Sequence, residues 1–447
     1  MTTPSTTQLD TESAYAWMRL LVSLALMTIG GAGMYSVTVV LPRIQAEFGV
    51  ARADASMPYT LTMIGFGLGG ILMGRLADRF GVMVPVMIGA VGLGLGFIAA
   101  GSAQSVWQFT LVQGILIGLL GTSATFAPLV ADTSQWFTRR RGIALAICMS
   151  GNYVAGAVWP PIVQHFVGSV GWRQTYIGIG VFCLVAMLPL ALVFRRRPPV
   201  AFALADLSAS SQALNDTPSA FAASDAAATP SSPSSPAHPA TRPTAHLGLS
   251  PAMLQGLLCV AGVSCCVAMS MPQVHIVAYC GDLGFGAARG AEMLSLMLGM
   301  GVLSRLASGW ISDHIGGLRT LLLGSVLQGI ALLLFLPFDG LVPLYVVSGM
   351  FGLFQGGIVP SYALIVREYF TPQEAGARVG TVLMATLFGM ALGGWMSGKI
   401  FDLTGSYRAA FVNGIAFNLL NIGIVLFLLY RVRRVQLMQG ARLAKVA

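Results

Sequence analysis

One charged side chain stands where charge is expensive. In the stretch Leu303-Ser-Arg305-Leu-Ala-Ser-Gly309-Trp-Ile-Ser-Asp313-His-Ile-Gly316, Arg305 lies inside an apolar run, eight residues before Asp313 in a short polar turn. On a helix that spacing is about 12 Å of axial depth. A guanidinium stays protonated and offers a planar fork of N–H donors that fits a carboxylate with two parallel hydrogen bonds. Held deep in an apolar helix it costs roughly 3 kcal/mol and is normally kept for a pathway. The competing reading is a structural arginine whose stem snorkels toward the turn or whose head pairs with backbone carbonyls. No acidic residue lies deep in any apolar run to neutralise Arg305, so an anionic ligand would supply the missing charge.

Other polar groups in apolar runs are candidates to complete such a site. His275 titrates near neutrality and is a candidate proton carrier or second anion ligand, against a plain hydrogen-bonded packing residue. Tyr35, Asn152, Tyr153, Tyr279 and Gln355 offer hydroxyl or amide groups that could orient a small carboxylate or simply bridge helices. A lone deep cation suits a monocarboxylate better than a dicarboxylate, whose second carboxylate would stay unpaired in a dry cavity. Lys399, near the end of its run, reads as an interface anchor. The six cysteines show neither CxxC nor Cys/His ligand spacing, so no metal and no disulfide is indicated. Runs such as Gly65-Phe-Gly67-Leu-Gly69-Gly70 are helix-packing faces rather than phosphate loops, because no strand-to-helix context surrounds them. No catalytic constellation, nucleotide-binding motif or cofactor site is expected.

The elements that hold these residues follow from composition. Of 447 residues, 55% are hydrophobic and 9% charged, with a mean hydropathy of +0.77; a soluble domain carries about 25% charged residues. Such a chain cannot cover a water-facing surface, which excludes a soluble enzyme or secreted domain and makes the lipid bilayer its solvent. Apolar runs long enough to span lie near 18–42, 56–75, 83–101, 106–131, 142–167, 173–194, 251–281, 290–312, 319–337, 341–366, 376–398 and 407–430. The polar stretch before the first run lacks the form of a cleavable signal. With the N-terminus cytoplasmic, eighteen basic residues fall on that side and six on the other, which predicts cytoplasmic termini and an inner (plasma) membrane location. The net charge of +9 is mostly this bias and needs no nucleic acid to explain it.

The runs form two sets. Residues 1–17 read as a cytoplasmic tail, 18–194 as a first six-helix half, 195–249 as a flexible Ala/Ser/Pro/Thr-rich linker, 250–431 as a second half and 432–447 as a second tail. The halves repeat each other: Trp136-Phe137-Thr138 recurs as Tyr369-Phe370-Thr371, Gly171-Trp-Arg173 as Gly405-Ser-Tyr-Arg408, and Gly74-Arg-Leu-Ala-Asp78-Arg79-Phe-Gly81 as Gly309 to Gly316, at offsets of 233 to 235 residues. Duplicated six-span halves imply a carrier with its site near the midplane between them. Arg305 breaks the repeat, since its aligned position is Gly70.

With these motifs in place, the sequence resembles the major facilitator superfamily, whose signature turn Gly74–Gly81 matches. The resemblance implies an all-α membrane fold of twelve helices in two pseudo-symmetric halves, with Gly74, Asp78, Arg79, Gly81, Gly309, Asp313 and Gly316 as gating elements and Asp132 joining their network. Within the superfamily it is similar to the monocarboxylate and oxalate/formate carriers. The similarity rests on Ser134-Gln-Trp136-Phe-Thr-Arg-Arg-Arg141-Gly-Ile-Ala, on Val274-His275-Ile-Val-Ala-Tyr279-x-x-Asp-Leu-Gly284 and on Ser304-Arg305-Leu-x-x-Gly309. The last implies that Arg305 binds a substrate carboxylate. Animal members carry an acidic residue where this chain has Gly301 and a lysine where it has Tyr35, so their proton-coupling scheme does not transfer. Val112-Gln113-Gly114, without the arginine of drug/proton antiporters, argues against drug efflux.

The expectation is therefore a secondary transporter of small organic anions, working as a monomer by alternating access and driven by proton symport or anion exchange. The alternatives are a carrier of neutral or cationic solutes with a structural Arg305, and a non-transporting sensor on the same fold.

Overall fold

A computed structural model describes residues 12–137, 140–196 and 248–446. Thr138, Arg139, most of the linker and the first eleven residues lie outside the described residues. Twelve helices are long and apolar enough to cross a membrane: α1 Ala14–Phe48, α2 Arg52–Phe80, α3 Met83–Gly101, α4 Val106–Trp136, α5 Gly142–Val170, α6 Trp172–Arg195, α7 Pro251–Asp282, α8 Ala287–Ile315, α9 Gly317–Leu334, α10 Leu341–Tyr369, α11 Glu374–Thr404 and α12 Tyr407–Val435. Helices dominate because a chain in lipid must satisfy every backbone N–H and C=O internally. Several run a turn or more past their apolar cores. Backbone bonding continues into the headgroup region, where polar residues such as Arg52, Asp54 and Arg79 occupy the ends.

Four helices are interrupted where they face the interior. Gly31 bends α1, and a Cβ there would meet Ala155 of α5. In α4, residues Gln113–Thr122 wind as a π-helix and the α-helix resumes only at Ala127. In α10, Gly356 and Gly357 separate Leu341–Gln355 from Ile358–Tyr369. The breaks in α4 and α10 fall at repeat-related positions. Pro160 and Pro161 lie within α5.

The duplication is visible in the hydrogen bonds. Arg173 donates to the carbonyl of Gly101 at the end of α3, and Arg408 donates to the carbonyl of Leu336 at the end of α9; donor and acceptor are both offset by 235 residues. The two signature turns end alike, Gly81 at φ 84° and ψ 165° and Gly316 at φ 82° and ψ 163°. Both backbones require positive φ, which a glycine adopts without a Cβ penalty. Both turns lie at one end of the bundle, termed here the motif end; the α1–α2, α7–α8 and α11–α12 loops form the far end. The halves meet through α2 on α11, α5 on α8 and α1 on α7.

Candidate functional site

Arg305 sits on α8 at the seam between the halves. Its Nη1 donates to the carbonyl of Met149 on α5 at 3.1 Å, and its guanidinium carbon lies 4.6 Å from the centre of the Tyr153 ring. Stacking on an aromatic face attracts a cation without neutralising it. The Nε of Arg305 is buried and has no partner, so one edge of the fork remains open. No ion pair among the described residues involves Arg305.

The neighbouring turns are shaped around two rings. A Cβ at Gly301, one turn before Arg305, would stand 2.5 Å from Cδ1 and Cε1 of Tyr153, and a Cβ at Gly156 would stand 2.9 Å from Cζ of Tyr35. Tyr35, Tyr153 and Arg305 lie within electrostatic reach of one another. The structure thus brings Arg305, Tyr153 and Tyr35 together from α8, α5 and α1. It adds Tyr59 of α2, a buried electrostatic neighbour of Tyr35. Sequence reasoning passed over Tyr59 because it stands near the start of its span and no pattern marks it.

Asn152 lines a small cavity within the first half, with Met27, Gly31, Phe66, Thr122, Thr125 and Phe126. Gln355 is fully buried at the break in α10; its Oε1 accepts from Gln273 at 3.1 Å, while its Nε2 has no partner. Among the described residues no cluster of three His, Cys, Asp or Glu side chains offers a metal cage.

His275 and Tyr279 belong to a different assembly, at the far end. The Nε2 of His275 is 2.8 Å from the carbonyl of Gly394, so that nitrogen carries the hydrogen. Its Nδ1, 3.0 Å from the Tyr407 hydroxyl, then accepts from it. The same hydroxyl accepts from Nη1 of Arg52 at 2.8 Å, and Arg52 pairs with Asp282 at 2.9 Å and packs on the Phe401 ring. Asp402 caps α2, its two oxygens accepting from the backbone N–H groups of Arg52 and Ala53, both at 2.8 Å. Tyr279 packs edge-on to Tyr407 and Phe411. Arg52 lies in the first half and all these partners in the second, so the far end is locked by charge. Sequence reasoning read Arg52 only as an edge cation.

The motif end is open by comparison. Along α2 and α11, a Cβ at Gly398 would stand 2.9 Å from Cα of Ala53 and one at Gly67 would stand 2.6 Å from Sδ of Met384, whereas at Gly74, Gly376 and Gly380 it would meet nothing within 4 Å. The two helices touch at the far end and diverge toward the motif end. Asp78, Arg79 and Asp313 are exposed. Asp132 does not join them: its carboxylate holds Arg19 through two bonds of 2.7 Å, from Nε and Nη2, with both side chains buried. That pair ties α1 to α4 inside the first half, because the carboxylate projects from the inner face of α4 toward α1 rather than toward the turn after α2.

The chain matches the Major Facilitator Superfamily over residues 21–343 and 293–443. It is 26% identical to Monocarboxylate transporter 13 of Rattus norvegicus over 427 residues, covering 93% of this chain and 90% of that protein. It is likewise 26% identical to Monocarboxylate transporter 13 of Bos taurus over 419 residues, again covering 93% and 90%. Its fold is similar to that of a bacterial homologue of the human lysosomal transporter Spinster, solved in an inward-facing, occupied conformation, with a TM-score of 0.62, 15% identity and coverage of 96% of this chain and 98% of that one.

Proposed function

The chain belongs to the Major Facilitator Superfamily, and from that premise we propose that it carries small organic anions, foremost monocarboxylates, by alternating access. It is a twelve-span membrane transporter and not an enzyme. The anion reading rests chiefly on the open edge of Arg305. A guanidinium with one face on Tyr153 and Nη1 on a carbonyl still has a donor edge to give, and a carboxylate would fill it while neutralising the charge. Tyr35 and Tyr153 bound the site and limit its size. The names of the mammalian relatives point to the same substrate class.

The excess of basic residues beside the motif end supports placing that end, and both termini, on the cytoplasmic side of a plasma membrane. In that orientation the Arg52 lock closes the outside, and the divergence of α2 and α11 opens the site toward the cytoplasm. The signature turns would then close the inner side in the alternate state.

One observation favours a second reading. The Met149 carbonyl and the Tyr153 ring are also how a purely structural arginine would be satisfied, which would suit a carrier of neutral or cationic solutes. Uptake of labelled formate, acetate, lactate and pyruvate into proteoliposomes separates the two. On the anion reading, Arg305→Ala abolishes uptake of whichever acid the wild type carries. Equal uptake by both proteins would make Arg305 structural.

A further inference from the structure

We infer that this carrier is an obligatory anion exchanger, returning across the membrane only when loaded. The inference rests on the anion reading of Arg305 and adds the coupling mode. It comes from a complete placement of negative charge. The sequence has sixteen acidic residues, four of which lie outside the described residues, in the N-terminal tail and the linker. Among the described ones, five are paired with arginines other than Arg305. Two more, Glu368 and Asp402, accept backbone N–H groups at the starts of α9 and α2. The remaining five, Glu12, Asp54, Asp78, Asp313 and Asp339, stand at helix ends or in connecting loops. No carboxylate is left to face Arg305.

Position 301 explains why. It lies one turn before Arg305 on the same face of α8, where an i, i+4 carboxylate would reach the guanidinium. Gly301 stands there instead, and the ring of Tyr153 fills the space. The arginine is therefore lined by an aromatic face and a carbonyl, neither of which cancels its charge.

Alternating access passes through a state closed at both ends. With a monocarboxylate bound, the site enters that state as a neutral, hydrogen-bonded pair. Empty, it enters as a lone cation cut off from water, which is strongly disfavoured. Release of one anion must then be followed by capture of another before the carrier can reorient. One monoanion crosses for one, with no net charge moved and no proton required. His275 does not change this balance. It faces Gly394, Tyr407, Arg52 and Asp402 at the far end, and a proton there adds positive charge rather than removing it from Arg305.

Initial uptake of labelled formate, acetate, lactate and pyruvate should be compared in two kinds of proteoliposome containing the full chain. One kind is preloaded with the same unlabelled acid; the other is empty, with the outside acidified. We expect uptake into preloaded vesicles to be faster by on the order of 100-fold, the factor set by burying an unpaired arginine. Equal initial rates in empty and preloaded vesicles would overturn the inference while leaving the anion site intact. Absence of uptake in both, or equal exchange by wild type and Arg305→Gln, would overturn the anion site and the exchange mode with it. A second protein, Gly301→Asp combined with Tyr153→Ala, places a carboxylate beside Arg305 and removes the obstructing ring. Net uptake into empty vesicles should then appear and follow the pH gradient. An unchanged preference for preloaded vesicles in a double variant that still exchanges would count against the inference, and if the variant does not fold the wild-type comparison decides alone.

Discussion

Asp282 of α7 reaches across the two halves to Arg52 of α2, with Oδ2 2.9 Å from Nη1, whereas its repeat-related counterpart Glu47 stays within its own half and binds Arg173 at 2.7 Å. The same offset of 235 residues relates Trp172 to Tyr407. Trp172 donates to Glu47, while Tyr407 joins Arg52 and His275. In the second half an acid and an aromatic that would otherwise brace a helix end have become part of a lock between halves.

Loosening that lock should shift the balance between conformations. Asp282 is partly exposed, so Asp282→Asn should cost the closed far end about 1 kcal/mol, roughly fivefold in its population. Distances between spin labels on the α1–α2 and α7–α8 loops would report it. We expect a larger fraction of long distances in the variant; an unchanged distribution would mean that packing, not charge, holds the far end shut.

The directed chain from Arg52 through Tyr407 and His275 to the Gly394 carbonyl requires Nδ1 of His275 to be an acceptor. A proton on Nδ1 makes it a donor and leaves the Tyr407 hydrogen to turn toward Asp282 or Asp402. Acidification should therefore loosen the far end, and stability of the lock should fall as pH falls. His275→Gln can keep one donor and one acceptor without titrating. The same spin-label distances should respond to pH in the wild type and not in this variant; an equal response in both would place the sensitive group elsewhere.

Within the first half, removing Asp132 strands a buried arginine. Asp132→Asn should lower stability by about 3 kcal/mol, read as a clear drop in thermal unfolding temperature in detergent. Replacing Arg19 and Asp132 together by leucine should recover part of the loss, although Nη1 of Arg19 also donates to the Arg196 carbonyl at 2.9 Å. If the single and double variants unfold alike, the ion pair is not what joins α1 to α4.

At position 301 even a methyl group is too much. Gly301→Ala should push the Tyr153 ring off Arg305 and weaken transport by about tenfold, an effect of roughly 1.4 kcal/mol. Adding Tyr153→Phe should not restore it, whereas adding Tyr153→Ala should relieve the clash. Labelled-acid exchange rates compare the three, and full activity in Gly301→Ala would show that the ring has room to move.

Much of the fold was legible because lipid imposes a blunt rule, about twenty apolar residues per span, and because duplication left a nearly constant offset. Arg305 was legible for a similar reason, as a charge set among apolar residues. The partners were not. His275 and Tyr279 had been grouped with Arg305 as members of apolar runs, yet Tyr407, which gathers both, lies 132 residues beyond His275. Arg52 looked like an edge cation because its partners come from the other half. Asp132 had been joined to the signature turn by proximity along the membrane edge, and only the packing of α1 on α4 shows that Arg19 holds it. The role of Gly301 is invisible in sequence, because it consists of the space that Tyr153 occupies.

Binding of a carboxylate at Arg305 is most directly tested by equilibrium titration of the purified protein with formate, acetate, lactate and pyruvate. Wild type is compared with Arg305→Gln, and thermal unfolding confirms that both are folded. We expect saturable binding of at least one acid to the wild type and loss of that binding in Arg305→Gln. Equal affinity in the two proteins would contradict the assignment of Arg305 as the anion site.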